Sequence, residues 1–180
     1  MKDYYMRQEG LIMDMLIKIE QWILKIERVI MAIAAGLLVF AVLAQVFFRY
    51  ILPISMPWTE ELSIILFVFM VMYGAAYAIR YDRHLGIISL TSRMSEKNFK
   101  LFWFVKKFVI IAFVGYVMLI QAIPMVRQGL SHTYTIIQIP SFFVLVNIPI
   151  SAGLMIFHTV MSILRKDYVK EYAVQKASIL

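Results

Sequence analysis

The side chains that could do chemistry in this sequence are few, and they stand at the edges of apolar runs. Adjacent carboxylates Glu60 and Glu61 occur in "MPWTEELS", residues 56–63, behind Arg49 and Trp58 and ahead of a long apolar stretch. Such a pair could couple a proton or a cation, as in a small self-sufficient carrier. It could equally pair with Arg49 and hold the lip of two helices together. Ion coupling needs a carboxylate deep in the bilayer, whereas these stand at its edge. The structural or subunit-interface reading is therefore preferred, with one carboxylate serving Arg49 and the other left for another chain or for solvent.

Three other polar groups stand out. Arg80 and His84 lie four apart, on one face if the helix continues, and Gly86 permits a turn directly afterwards. They suit lipid phosphates or a docking corner for another protein. Glu20 and Glu27 lie seven apart, stacked near one edge of an apolar helix face, where they require cationic partners. Among the three histidines, His84 and His158 could ligate a haem b axially, as in the membrane anchor of a respiratory enzyme. His84, however, falls beyond the apolar run amid arginines. A polar contact for His84 and a helix–helix hydrogen bond for His158 are the preferred readings. The sequence has no cysteine, which removes disulfides, thiolate metal sites and thiol catalysis together. No catalytic, cofactor-binding or metal-ligating set is expected, and the chain is read as not an enzyme.

The elements that must position these residues are membrane helices. The 180 residues are 62% hydrophobic and 16% charged, against about half and a quarter in soluble domains. Four spans are expected at about 29–48, 62–79, 108–125 and 142–164. At about 1.5 Å per residue each is long enough to cross a hydrocarbon core of about 30 Å. Ser95 is placed to cap a helix that starts outside the membrane and runs through "FKLFWFVKK" into the third span. Pairs of small residues, Ala32 with Gly36, Gly74 with Ala78 and the run Ser151 to Gly153, mark packing faces. Gln45, Gln121 and Asn147 are read as interhelical hydrogen-bonding groups. Pro149 is a bend point, with Asn147 or Ser151 nearby to satisfy the freed backbone groups. Few glycines and prolines leave no room for a linker, so residues 1–180 are read as one membrane domain.

Segment 11–27, "LIMDMLIKIEQWILKIE", is too charged to span. Asp14, Lys18, Gln21 and Lys25 form one polar stripe, and Trp22 lies with isoleucines and Met15 on the opposite face. This is the pattern of an amphipathic interfacial helix, with Trp22 at headgroup level and Glu20 and Glu27 as snorkelling charges. The net charge is +7, but the basic residues flank apolar runs, so membrane lipids are the expected anionic partner and nucleic acid is not. Five basic residues precede the first span, seven lie between spans two and three, and four follow span four. Arg49 and Arg127 alone lie on the other side, which accounts for all 18. The positive-inside rule places both termini in the cytoplasm.

The order "FFRY", a short proline-containing loop, "WTEELS", a span with "YGAAYAIR" and then "RHLGI" resembles the small membrane subunit of tripartite ATP-independent periplasmic (TRAP) transporters, the DctQ-like family. Arg49, Trp58, Glu60, Glu61, Gly74, Arg80, His84 and Gly86 match positions typical of that family. The resemblance implies a bacterial inner-membrane subunit that binds no substrate itself. It would scaffold a large, elevator-type subunit that carries sodium ions and an organic acid anion, of the dicarboxylate or sialic acid class. A periplasmic substrate-binding protein would deliver that anion.

Overall fold

The computed structural model describes residues 2–52, 54–81 and 95–177, with side chains from Leu11 onward except at 170 and 174–177. The first helix, α1, runs unbroken over Lys2–Tyr50. Gly10 and Gly36 are its only glycines and no proline interrupts it, so nothing in the sequence divides 11–27 from the span that follows. The amphipathic segment is thus the first part of α1 and not a separate element. Ile12, Met15, Ile19, Trp22 and Ile26 remain exposed, as an apolar face turned to lipid requires, but Glu20 and Glu27 are turned inward.

The second helix, α2, covers Pro57–Arg80, with Pro57 in the first turn, where a missing N–H loses no hydrogen bond. The third, α3, covers Glu96–Phe113. It continues through a π-helical segment, Val114–Ile120, into α4, Ala122–Gly129. Together these make a 34-residue rod, about 50 Å long, which overshoots a 30 Å core. Ser95 occupies the N-cap position but makes no side-chain capping bond. The π segment ends where Gln121 N–H bonds Tyr116 O at 3.2 Å. Pro124 is then the third residue of a restarted α-helix, where its absent donor is harmless.

Span four is divided into α5, Phe142–Leu145, and α6, Asn147–Leu164. Pro149 cannot donate to Leu145, so the ladder breaks there. Asn147 Nδ2 donates to Phe143 O at 2.7 Å and Val144 O at 3.2 Å, and Ser151 Oγ donates to Ile148 O at 2.9 Å. The last helix, α7, covers Tyr168–Ala177. It lies on α3, with Tyr172 against Phe99 and Tyr168 against Trp103.

α1 packs along α2, α2 against α6, and α6 against α3 and the π segment. α6 is the central helix: 39% of its apolar stretch is buried, against 11–17% in the other three spans. Its buried side includes Ser151, Ala152, Met155, His158, Thr159 and Ser162. Ala76, Ile79, Val114, Ala152 and Met155 form the apolar core. On α1 the buried residues Glu20, Leu24, Glu27, Ala34 and Ala41 recur at heptad spacing, which keeps one seam on its neighbours. Gly74 meets this seam, with Met31 Sδ 3.5 Å from the position of an added Cβ. Ala32 and Gly36 lie on the opposite, exposed side, so they do not form the α1–α2 contact. The chain is a multi-pass membrane protein, with four helices among the described residues long and apolar enough to cross a bilayer.

Candidate functional site

Two polar constellations stand at the ends of the bundle. At the start of α2, the Glu61 carboxylate accepts the backbone N–H of Thr135 at 2.8 Å, of Ile136 at 3.1 Å and of Ile137 at 2.8 Å. Consecutive amides converging on one carboxylate make an anion nest. The loop is shaped for it: His132 O accepts from Ser141 N–H at 2.8 Å, and Tyr134 N–H donates to Ile139 O at 2.9 Å. Gln138 closes the turn in the left-handed region, at φ 56°. Burial, and then the Glu61 carboxylate, push the Tyr134 phenol above its ordinary pKa.

Glu61 therefore does not serve Arg49, and no ion pair joins Arg49 to Glu60 or Glu61 among the described residues. The guanidinium of Arg49 rests over the ring of its neighbour Tyr50, 5.9 Å from the centroid. Arg49, Gln45, Ser55 and Glu60 line a cavity of about 370 Å³ with Ile54, Met56 and Pro57. Trp58, 43% exposed, stands at the same lip. Thr59 is fully buried and donates to Met56 O at 2.6 Å, which closes the first turn of α2.

At the other end, Glu20, Glu27 and His158 are each at most 1% exposed. His158 Nδ1 lies 3.3 Å from Glu20 Oε1, and Nε2 lies 3.1 Å from Glu27 Oε1. Arg165 holds Glu20 through both terminal nitrogens, NH1 to Oε2 and NH2 to Oε1, the latter at 3.2 Å. Arg80 Nε is 2.9 Å from Glu20 Oε1, an ion-pair contact out of line for a hydrogen bond. Asp167 joins from 3.3 Å to Arg165 and 3.9 Å to Arg80. Arg80 is thus an internal partner of Glu20, while His84 and Gly86 lie outside the described residues. With both ring nitrogens of His158 engaged by carboxylates, neither is left for axial ligation, so the haem reading is not supported.

The partners of Glu20 and Glu27 were legible in one signal that inspection of single segments misses. Glu20 and Glu27 are seven apart on α1, and His158 of α6 and Arg165, the C-cap of that helix, are also seven apart. On antiparallel helices the two spacings fall into register. Between α2 and α6, the Tyr73 hydroxyl donates to Asn147 Oδ1 at 3.1 Å, the interhelical bond expected of Asn147. Gln121 instead is exposed.

Residues 38–167 match the family model described as "Tripartite ATP-independent periplasmic transporters, DctQ component". The chain belongs to the DctQ family. It is also similar to the C4-dicarboxylate TRAP transporter small permease protein DctQ of Rhodobacter capsulatus, 31% identical over 105 residues. That match covers 58% of this chain and 46% of the relative, so it spans about half of the relative's length. Arg49, both lip carboxylates, Gly74, Arg80 and His158 all fall inside the stretch matched by the family model, whereas Glu20 and Glu27 precede it.

Proposed function

We propose that this DctQ-family chain is the small scaffold subunit of a sodium-driven TRAP secondary transporter for organic acid anions, in a bacterial inner membrane with both termini cytoplasmic. The observation that carries this reading is the lip of α1 and α2. There Arg49 and Glu60 face a 370 Å³ cavity with no ion pair between them, while the neighbouring Glu61 is fully engaged inside the chain. A guanidinium and a carboxylate held apart at an outer membrane edge suit complementary groups on a second protein, where each gains a charge-assisted partner in a semi-dry interface. The second protein is the large multi-span subunit, which holds the substrate and the sodium ions. A periplasmic binding protein completes the transporter. The relative's name makes C4-dicarboxylates the first substrates to try, with sialic acid second.

The test is co-expression with the large subunit and reconstitution with the binding protein. Native chain should co-purify and support sodium-gradient-driven uptake, and Arg49→Ala with Glu60→Gln should reduce co-purification without changing the sodium stoichiometry. Uptake that persists without this chain, or a large subunit that never co-purifies with it, would overturn the reading.

A further inference from the structure

The buried imidazole of His158 sits between two carboxylates, one at each ring nitrogen, at 3.3 and 3.1 Å. A neutral imidazole has one N–H and one lone pair. With both carboxylates ionised, one of the two contacts would set a ring lone pair against a carboxylate lone pair. All three groups are at least 99% buried, so water cannot relieve that conflict. A single additional proton removes it. On the ring, the proton makes both nitrogens donors; on Glu27, it makes the carboxyl a donor to Nε2.

Charge balance leads to the same count. Among the described residues, the carboxylates of Glu20, Glu27 and Asp167 gather with the guanidiniums of Arg80 and Arg165, three negative charges against two positive. Both arginines engage Glu20. Among the described residues, Glu27 has no arginine in contact, and its Oε2 is buried without a hydrogen-bond partner. The extra proton is needed on that side. Several other polar groups on and beside these helices have contacts of their own. Arg28 donates to the Tyr77 hydroxyl at 3.0 Å, and Tyr73 donates to Asn147. On α3 the buried Lys107 lies over the Trp103 ring, and Glu171 of α7 is held by Trp103 and Lys106.

We propose that Glu20, His158 and Glu27 form a binding site for a single proton, and that this proton fastens the N-terminal half of α1 to α2 and α6. The proposal does not depend on the transport role. A released α1 takes both carboxylates away from the imidazole, and with them the groups that hold the extra proton in place. Wherever the docked state holds one more proton than the released state, the docked-to-released ratio falls about tenfold for each unit rise in pH, so docking is tightest at low pH and weakens as pH rises.

The experiment uses the full chain in lipid nanodiscs. His84→Gln with His132→Gln leaves His158 as the sole histidine without touching the triad. Its ring nitrogens, labelled with ¹⁵N, should both read as protonated at pH 7.5. The alternative signature of the bound proton is a neutral ring together with an infrared carboxylic-acid band that Glu27→Gln removes. The absence of cysteine allows spin labels at Gln21→Cys and Val169→Cys to follow docking by distance between pH 6 and 9. In Glu27→Gln the carboxamide donates to Nε2 of a neutral ring, so docking should lose its pH dependence. A neutral ring with no carboxylic-acid band in the docked single-histidine chain, or an unchanged pH slope in Glu27→Gln, would overturn the proposal. If Glu27→Gln does not fold, the labelled single-histidine chain decides alone.

Discussion

Removal of Glu61 isolates the contribution of one carboxylate to the loop over residues 133–140. Three backbone amides donate to it at 2.8–3.1 Å, and none has another acceptor. Hydrogen bonds to a charged group contribute about 1.5–3 kcal/mol each, and an exposed rim brings that to about 1 kcal/mol. Glu61→Ala should therefore ease local opening of the loop by about 2–3 kcal/mol, roughly 30- to 150-fold. Glu61→Gln keeps one neutral acceptor oxygen for three donors and should give roughly a tenfold effect. Hydrogen exchange of the amides at 135–137, read by mass spectrometry at fixed pH, measures the opening directly. The Tyr134 phenol gives an independent readout. Its pKa should fall towards the ordinary value in Glu61→Ala, but not reach it, because burial is the larger cause of its elevation. Exchange at 135–137 within twofold of native in both variants would refute the nest. So would an equal rise in exchange along α6, which would mean general loosening instead of local release.

Glu20→Ala leaves Arg80 and Arg165 facing each other without their shared carboxylate, and should cost about 3–5 kcal/mol, seen as a large fall in Tm in detergent. Tyr73→Phe strands the buried Asn147 Oδ1 and should cost about 1–2 kcal/mol in the same assay. Gly129→Ala drives a methyl to 2.9 Å from both Leu145 Cδ1 and the backbone nitrogen of Phe142, and should destabilise by about 1–3 kcal/mol. Gly153→Ala is its control: nothing lies within 4 Å of the added methyl, so Tm should hold or rise.

Composition alone was enough for the class of molecule. An apolar run of about 20 residues must cross a bilayer or be buried, and the distribution of Arg and Lys sets its expected orientation. Local backbone chemistry was legible too. Pro149 with Asn147 foretold the break that divides α5 from α6, because a missing N–H and a nearby amide are properties of adjacent residues. The end of α1 nearest Lys2 was not legible in the same way. A helix with an exposed apolar face and two glutamates on its edge reads as amphipathic whether those glutamates snorkel to water or meet cations inside. Only the side-chain contacts that reach from α1 to the end of span four, residues 20 and 27 beside 165 and 158, decide between them.

The lip shows the same division. "MPWTEELS" places two carboxylates at a helix start, where either could meet Arg49 across the short loop. Adjacent helical residues point about 100° apart, so the two cannot share one partner easily, and their fates depend on what each direction contains. Glu61 points to a loop more than 70 residues away, whose three amides outcompete one guanidinium. Glu60 and Arg49 face the cavity. Residue types and spacing determined which groups carry charge at each edge of the membrane. Contacts between segments distant in sequence decided which charges are satisfied within the chain.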